Sequence, residues 1–230
     1  MKIDLSKYLT QRYIESIAKQ DFEGPVITIA REFGCPTKKM VSSLVARLDE
    51  IKGPKAKKIP WRWINKEILS ESARELELDP ADIEYVFKFE KKNFFDDILS
   101  SQSRKYYKSD RQIRKTIARV IRNIASEGNV IIIGRGGVAI TRDIERSLHI
   151  MLEAPVEWRA IRVAQKYCLN EKEAIKHALD VDKNRRAFRD YFHGKGTEYT
   201  RFDVRYNSMT LSNSDITESI IGLMKARKFI

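Results

Sequence analysis

The sequence predicts an α/β fold, with a mostly parallel sheet covered by helices on both faces. Three observations predict it. Short apolar, β-branched runs recur, clearest in PVITIA at 25–30 and NVIII at 129–133. Amphipathic segments of helical period alternate with them, as in RQIRKTIARVIRNIASE at 111–127. The 230 residues are 42% hydrophobic, enough apolar material for a buried core.

Taken in order, Ile3, Leu5, Leu9, Tyr13 and Ile17 sit at helical spacing, so residues 1–22 read as an N-terminal helix ahead of a single domain over 23–230. Strand 25–30 leads into the polar turn REFGCPTKK and then a helix whose face is Met40, Val41, Leu44, Val45 and Leu48. A basic stretch, KGPKAKK at 52–58, reads as a solvated loop first and a nucleic-acid contact second. WRWINKEIL at 61–69 is a short strand running into a helix. Asp79, Pro80 and Asp82 open another helix, because Asp caps a helix start and Pro fits its first turn. An aromatic and charged segment follows to residue 108. The helix at 111–127 is stopped by Gly128. Strand 129–133 ends in the glycine-rich turn Gly134-Arg135-Gly136-Gly137. Strand 147–153, helices 155–167 and 170–193, a short strand at 203–208 and a closing helix at 212–227, capped by Ser212 or Asn213, complete the chain. Parallel sheets bind ligands at the carboxyl ends of their strands, so the loops after residues 30, 64, 134 and 153 are expected to meet at one site.

Lys and Arg number 44 against 32 Asp and Glu, a net charge of +12 that attracts polyanions or phosphorylated small molecules. No zinc-finger or RNA-binding signature occurs. The two cysteines, Cys35 and Cys168, make neither a disulfide framework nor a zinc site, and Cys35 reads as a small buried thiol. His149, His177 and His193 have no ligand spacing. No run of 18 apolar residues occurs, and the N-terminus lacks an apolar secretory core, so a cytoplasmic protein with no membrane partner is expected.

Three stretches could carry chemistry. The turn after residue 30 could cradle phosphate with backbone N–H groups, but it lacks the GxxxxGK[ST] pattern, and by itself reads as an ordinary connection. Arg135, held by glycines at the end of a buried strand, points to an anion rather than to a structural carboxylate. In the helix pair 155–193, Arg159 and Arg162 share a face three residues apart, as do Asp182 and Arg185. Such an arginine-rich segment can be a solvated helix or a lid over phosphates.

In this order, VITIAREFG, NVIIIGRGG, HIMLEAPVEWRAIRV, the intervening pair Asp182 and Arg185, and YNSMTLS resemble the cytidylate kinase-like family of P-loop nucleoside monophosphate kinases, over roughly 24–225. The resemblance implies a three-layer P-loop kinase-type fold with a five-stranded sheet, a helical acceptor-binding insertion at about 66–110 and a lid at about 160–196. It implies a cytoplasmic, ATP-binding transferase moving phosphate from ATP, with Mg²⁺, to a nucleoside monophosphate or similar small acceptor. Gly34, Thr37, Lys38 and Lys39 would hold the donor phosphates, with Lys38, Arg159 and Arg162 near the transferring group. Arg114, Arg135, Asp182, Arg185 and Asn65 would hold the acceptor. No metal ligand is implied among the side chains.

The chain also departs from the family pattern. Cys35-Pro36-Thr37 replaces a glycine-rich stretch, and Pro36 lacks an N–H. Lys38 is displaced by one position, Gly136 stands where an aspartate follows the GR arginine, Ile64-Asn65 replaces Tyr-Asp, and Ala178 replaces an arginine. The alternatives are therefore a catalytically degenerate nucleotide-binding protein acting as sensor or partner and, third, a basic nucleic-acid-binding module. The N-terminal helix could pack on the core or mediate a homodimer.

Overall fold

The computed structural model describes residues 24–52, 59–65, 67–88, 109–193 and 202–230. The expected N-terminal helix, the basic run after Lys52, the segment 89–108 and the end of the lid lie outside the described residues.

Five strands form one sheet: β1 (Val26–Arg31), β2 (Arg62–Ile64), β3 (Val130–Ile133), β4 (Ser147–Glu153) and β5 (Val204–Asn207). Their order is β2-β3-β1-β4-β5, and every pairing is parallel, where the sequence predicts a mostly parallel sheet. Eight helices connect them among the described residues: α1 (Lys38–Lys52), α2 (Glu67–Leu76), α3 (Pro80–Lys88), α4 (Asp110–Ser126), α5 (Gly137–Ile140), α6 (Val156–Tyr167), α7 (Glu171–His193) and α8 (Asn213–Ala226). The short α5 is one turn of helix where the sequence predicts only a glycine-rich turn.

Alternation along the strands builds the layers. Val26 of β1 and Val130 and Ile132 of β3 face a core made with α2, α3, α4 and α7. Ile27, Ile29, Ile131 and Ile133 face the opposite core, made with α1 and α8. Both central strands are therefore apolar on both faces, as a doubly covered parallel sheet requires. Local signals set the helix ends. Asp79 accepts the Ala81 N–H at 2.8 Å, opening α3. Gly128, at φ +68°, takes the left-handed conformation that ends α4. Ser212 is the cap of α8, in a reciprocal pair with Asp215. No described helix is long and apolar enough to cross a membrane.

His149 is a core residue of β4. Its Nδ1 lies 2.7 Å from the Thr28 hydroxyl and its Nε2 lies 3.0 Å from the Ser147 hydroxyl. Burial pushes its pKa down from 6.5 to about 4, with Asp203 opposing and Arg227 adding to the shift, so the ring is neutral at pH 7.

Candidate functional site

The carboxyl ends of β1 and β3 open onto a cavity of about 270 Å³. Four guanidiniums line it, those of Arg31, Arg135, Arg185 and Arg189, together with Glu84, Asn65 and Asn184. Each arrives for a local reason. Arg31 is the last residue of β1. Arg135 stands at φ +54° between Gly134 at +69° and Gly136 at +74°, a left-handed run that turns the chain from β3 into α5. A side chain on Gly136 would place Cβ 2.9 Å from the Phe188 ring, so glycine is also what lets α7 approach this turn. Val181, Asn184, Arg185, Phe188 and Arg189 recur at three- and four-residue spacing, so a single face of α7 forms the remaining wall.

The cations feel one another. Burial, then Arg185 and Arg135, push the Arg31 pKa down to about 10. Burial also lowers those of Arg135 and Arg185, with Glu84 opposing at Arg135 and Asp182 opposing at Arg185. Positive charge this concentrated is stabilised by a bound anion.

A second cavity of about 240 Å³ adjoins the first. Arg31 and Arg185 belong to both walls. Glu32, Phe33, Gly34, Arg162, Lys166 and Tyr167 are among its other lining residues. Phe33 forms an edge contact with His177 at 5.3 Å and lies 6.0 Å from Tyr167. The Arg185 guanidinium sits 5.2 Å from the Phe33 ring centre and donates to the Arg31 carbonyl at 2.9 Å.

The turn between β1 and α1 is tied down. Asp182 Oδ1 accepts the Phe33 N–H at 2.7 Å. Asp182 Oδ2 pairs with Arg159 at 2.7 Å. Arg159 also donates to the carbonyls of Phe33 and Ala154, each at 2.8 Å, and its Nε lies 3.2 Å from Glu32. Gly34, at φ +95°, passes so close that a Cβ there would lie 2.8 Å from Arg159. The Cys35 N–H bonds the Glu32 carbonyl, and Pro36 has no N–H to offer. Burial raises the Cys35 pKa to about 11, consistent with the expected buried thiol.

The structure thus gathers Asn65, Arg135 and Arg185 at the first cavity, and Gly34, Arg162 and Arg185 at the second. Asp182 stands beside them, bonded to the turn. Arg159 and Arg162, expected on one face, have opposite surroundings. Arg159 is 3% exposed within its ion pair, whereas Arg162 is exposed and stacks 3.6 Å from the Trp158 ring centre. Thr37 is buried and donates to the Cys35 carbonyl, while Lys38 and Lys39 are exposed at the start of α1 and line neither cavity. Arg114 is buried under α7, 4.4 Å from the Tyr191 ring centre, and also lines neither. Sequence reasoning assigns no role to Arg31, Glu84 or Asn184, and sees Arg189 only as part of a charged helix. The usable signal for Arg31 is its place as the first charge after the β1 run, at the end where parallel sheets bind ligands.

The sequence model of the cytidylate kinase-like family matches residues 26–214. No functionally curated protein matches the chain. Among solved structures, the chain resembles an uncharacterized protein from Eubacterium ventriosum ATCC 27560 at 18% identity, with a TM-score of 0.60 over 89% of this chain and 99% of that one. It also aligns with shikimate kinase from Bacteroides thetaiotaomicron at 11% identity, with a TM-score of 0.48 over 89% of this chain and 98% of that one.

Proposed function

The chain belongs to the cytidylate kinase-like family, and on that premise we propose that it transfers a phosphoryl group from ATP to a nucleoside monophosphate or similar small phosphorylated acceptor. The observation that carries the reading is the placing of Arg31 and Arg185 on the shared wall of two adjoining cationic cavities. Phosphoryl transfer to a phosphorylated acceptor brings two anionic partners side by side, with positive charge needed where the moving group passes. In this reading the first cavity holds the acceptor, with Arg135, Arg185 and Asn65 on its phosphate and polar groups. The second receives the donor, with Arg162 and Gly34 beside it. Arg159 and Asp182 position the turn between β1 and α1. The reading drops Lys38, Lys39 and Thr37 as donor contacts in the arrangement described, since they stand outside both walls.

The second cavity fits an anionic donor through its side-chain cations, Arg31, Arg162, Lys166 and Arg185. Its backbone contributes less than a glycine-rich phosphate loop would, because the Phe33 and Cys35 N–H groups are already bonded. Among the described residues no cluster of three or more His, Cys, Asp or Glu could hold a metal. Mg²⁺ would bridge the donor phosphates, whose charge it neutralises.

One observation favours a second reading. The Asp182 carboxylate occupies the turn N–H that a donor phosphate would otherwise use. A protein locked in this state would bind nucleotide without turnover, as a sensor or partner. Incubation with ATP, Mg²⁺ and CMP, dCMP, UMP, AMP or GMP in turn, reading ADP, separates the two. Acceptor-dependent ADP supports the kinase. ATP binding by titration with no ADP above background supports the degenerate reading.

A further inference from the structure

We propose that Tyr167 is the platform on which a nucleotide's base stacks when its phosphates occupy the second cavity, between the β1–α1 turn and α6. The inference rests on the donor placement above. It names the residue that would read the donor as a nucleotide rather than as a bare polyphosphate.

The helix face comes first. Arg162 and Lys166 stand one helical turn apart on α6, as do Val163 and Tyr167, and all four line the second cavity. One face of α6 therefore carries two cations and an aromatic ring side by side. Arg162 and Lys166 are both exposed. The ligand complementary to such a face has anionic groups next to a flat ring, which is the make-up of a nucleotide.

Placement comes second. Tyr167 is the last residue of α6. Cys168 follows in the left-handed conformation, at φ +54°, and the N–H groups of Cys168 and Leu169 both bond the Ala164 carbonyl. The backbone that carries the ring is therefore fixed. Two other rings brace it. The Tyr167 and His177 ring centres lie 5.1 Å apart at an interplanar angle of 64°, and Phe33 stands 6.0 Å away, tilted by 35°. Phe33 belongs to the β1–α1 turn and packs against the core shared by α6 and α7. The cluster thus holds Tyr167 at a set position relative to the turn. Phe33 and His177 are half-buried, whereas Tyr167 is 43% exposed, so Tyr167 is the ring of the three that presents a surface to a ligand.

The cations come third. The Lys166 ammonium lies 5.1 Å from the Tyr167 ring centre, and the Arg162 guanidinium lies over Trp158. Both are surface contacts of long, flexible side chains, and such cation–π contacts are weak where water reaches them. A phosphate in the cavity would draw both cations to itself. Movement of Lys166 would uncover the ring for the base.

A matched pair of probes tests the proposal. Inorganic tripolyphosphate offers the phosphates of ATP without its base. Titration calorimetry on the full chain, at fixed ionic strength and with Mg²⁺, compares the two. Tyr167→Leu is expected to weaken ATP binding about tenfold, the order of one base stack on one ring, and to leave tripolyphosphate binding unchanged. Tyr167→Phe keeps the ring and should keep the wild-type ATP affinity. Lys166→Gln should weaken both probes alike. Melting curves check the fold of each variant. An equal loss of ATP and tripolyphosphate in Tyr167→Leu would make the ring a structural brace and overturn the proposal. ATP binding undiminished in Tyr167→Leu would overturn it too. Either result leaves the donor placement standing, whereas failure of the wild type to bind ATP removes both. Tyr167-dependent ATP binding with no ADP formed from any acceptor keeps the platform and removes the kinase.

Discussion

Asp182 grips Arg159 with one carboxylate oxygen and the Phe33 N–H with the other, each at 2.7 Å. One carboxylate therefore joins α7 to both α6 and the turn after β1. The pair is buried, with side-chain exposures of 9% for Asp182 and 3% for Arg159. Removing one member strands the other charge in the interior, which costs about 3–5 kcal/mol. Asp182→Ala is therefore expected to lose about that much in urea unfolding. The double variant Asp182→Leu with Arg159→Met should recover part of the loss, because neither charge of the buried pair is then stranded, although Glu32 and Arg185 each lose a partner. A double variant no more stable than Asp182→Ala would contradict this account of the pair.

Arg135 combines strain with exposure to the cavity. A non-glycine residue in the left-handed region costs about 1 kcal/mol or more. Arg135→Gly should therefore keep or slightly raise the melting temperature while abolishing acceptor binding. Arg135→Ala should abolish binding with the strain retained. Normal acceptor binding in either variant would move the site away from the end of β3.

Much of this site was legible in the chain itself. The β-branched runs marked β1 and β3, the other three strands read as short stretches at 61–69, 147–153 and 203–208, and the parallel-sheet rule pointed to the strands' carboxyl ends for the candidate site. The glycines around Arg135 singled out the one arginine that the turn geometry presents. The partnerships were not legible. Asp182 meets Phe33 across 149 residues and Arg159 across 23, and only the packing of α6 and α7 on the turn decides that pairing. The same packing turns Arg189 toward the cavity and buries Arg114 behind α7. Arg31 read as the first residue of a loop, yet it closes β1 in register with Leu152. Helical spacing of three correctly neighboured Arg159 and Arg162, but it could not show which one the core would claim.

His149 makes folding sensitive to acid. Its folded pKa is depressed from 6.5 to about 4. Between those values the unfolded chain binds a proton that the folded chain refuses, so stability falls as pH falls through the window. The loss should reach about 3 kcal/mol at the lower end. Subtracting the pH profile of His149→Gln from that of the wild type isolates it, because the carboxylates titrate in both. Parallel profiles between pH 6.5 and 4 would show that the ring is not held neutral.

The two thiols should separate by reactivity. Cys168 is exposed, while Cys35 is buried, with its pKa raised to about 11. At pH 8 only about a thousandth of Cys35 is thiolate, and burial slows the reagent further. A colorimetric thiol titration of the native protein is expected to show one fast equivalent, with the second appearing only in denaturant. Cys168→Ser should remove the fast phase. Two fast equivalents in the native protein would mean that the turn opens readily.

The central claim is that the arginine-walled cavity receives the acceptor of a phosphoryl transfer. The most direct measurement is ADP formation from ATP and Mg²⁺ in the wild type and Arg135→Ala side by side, with each nucleoside monophosphate as acceptor. The account predicts acceptor-dependent ADP in the wild type and its loss in Arg135→Ala, with the two melting curves alike. Acceptor-dependent ADP undiminished in Arg135→Ala, or none with any acceptor in the wild type, would contradict it.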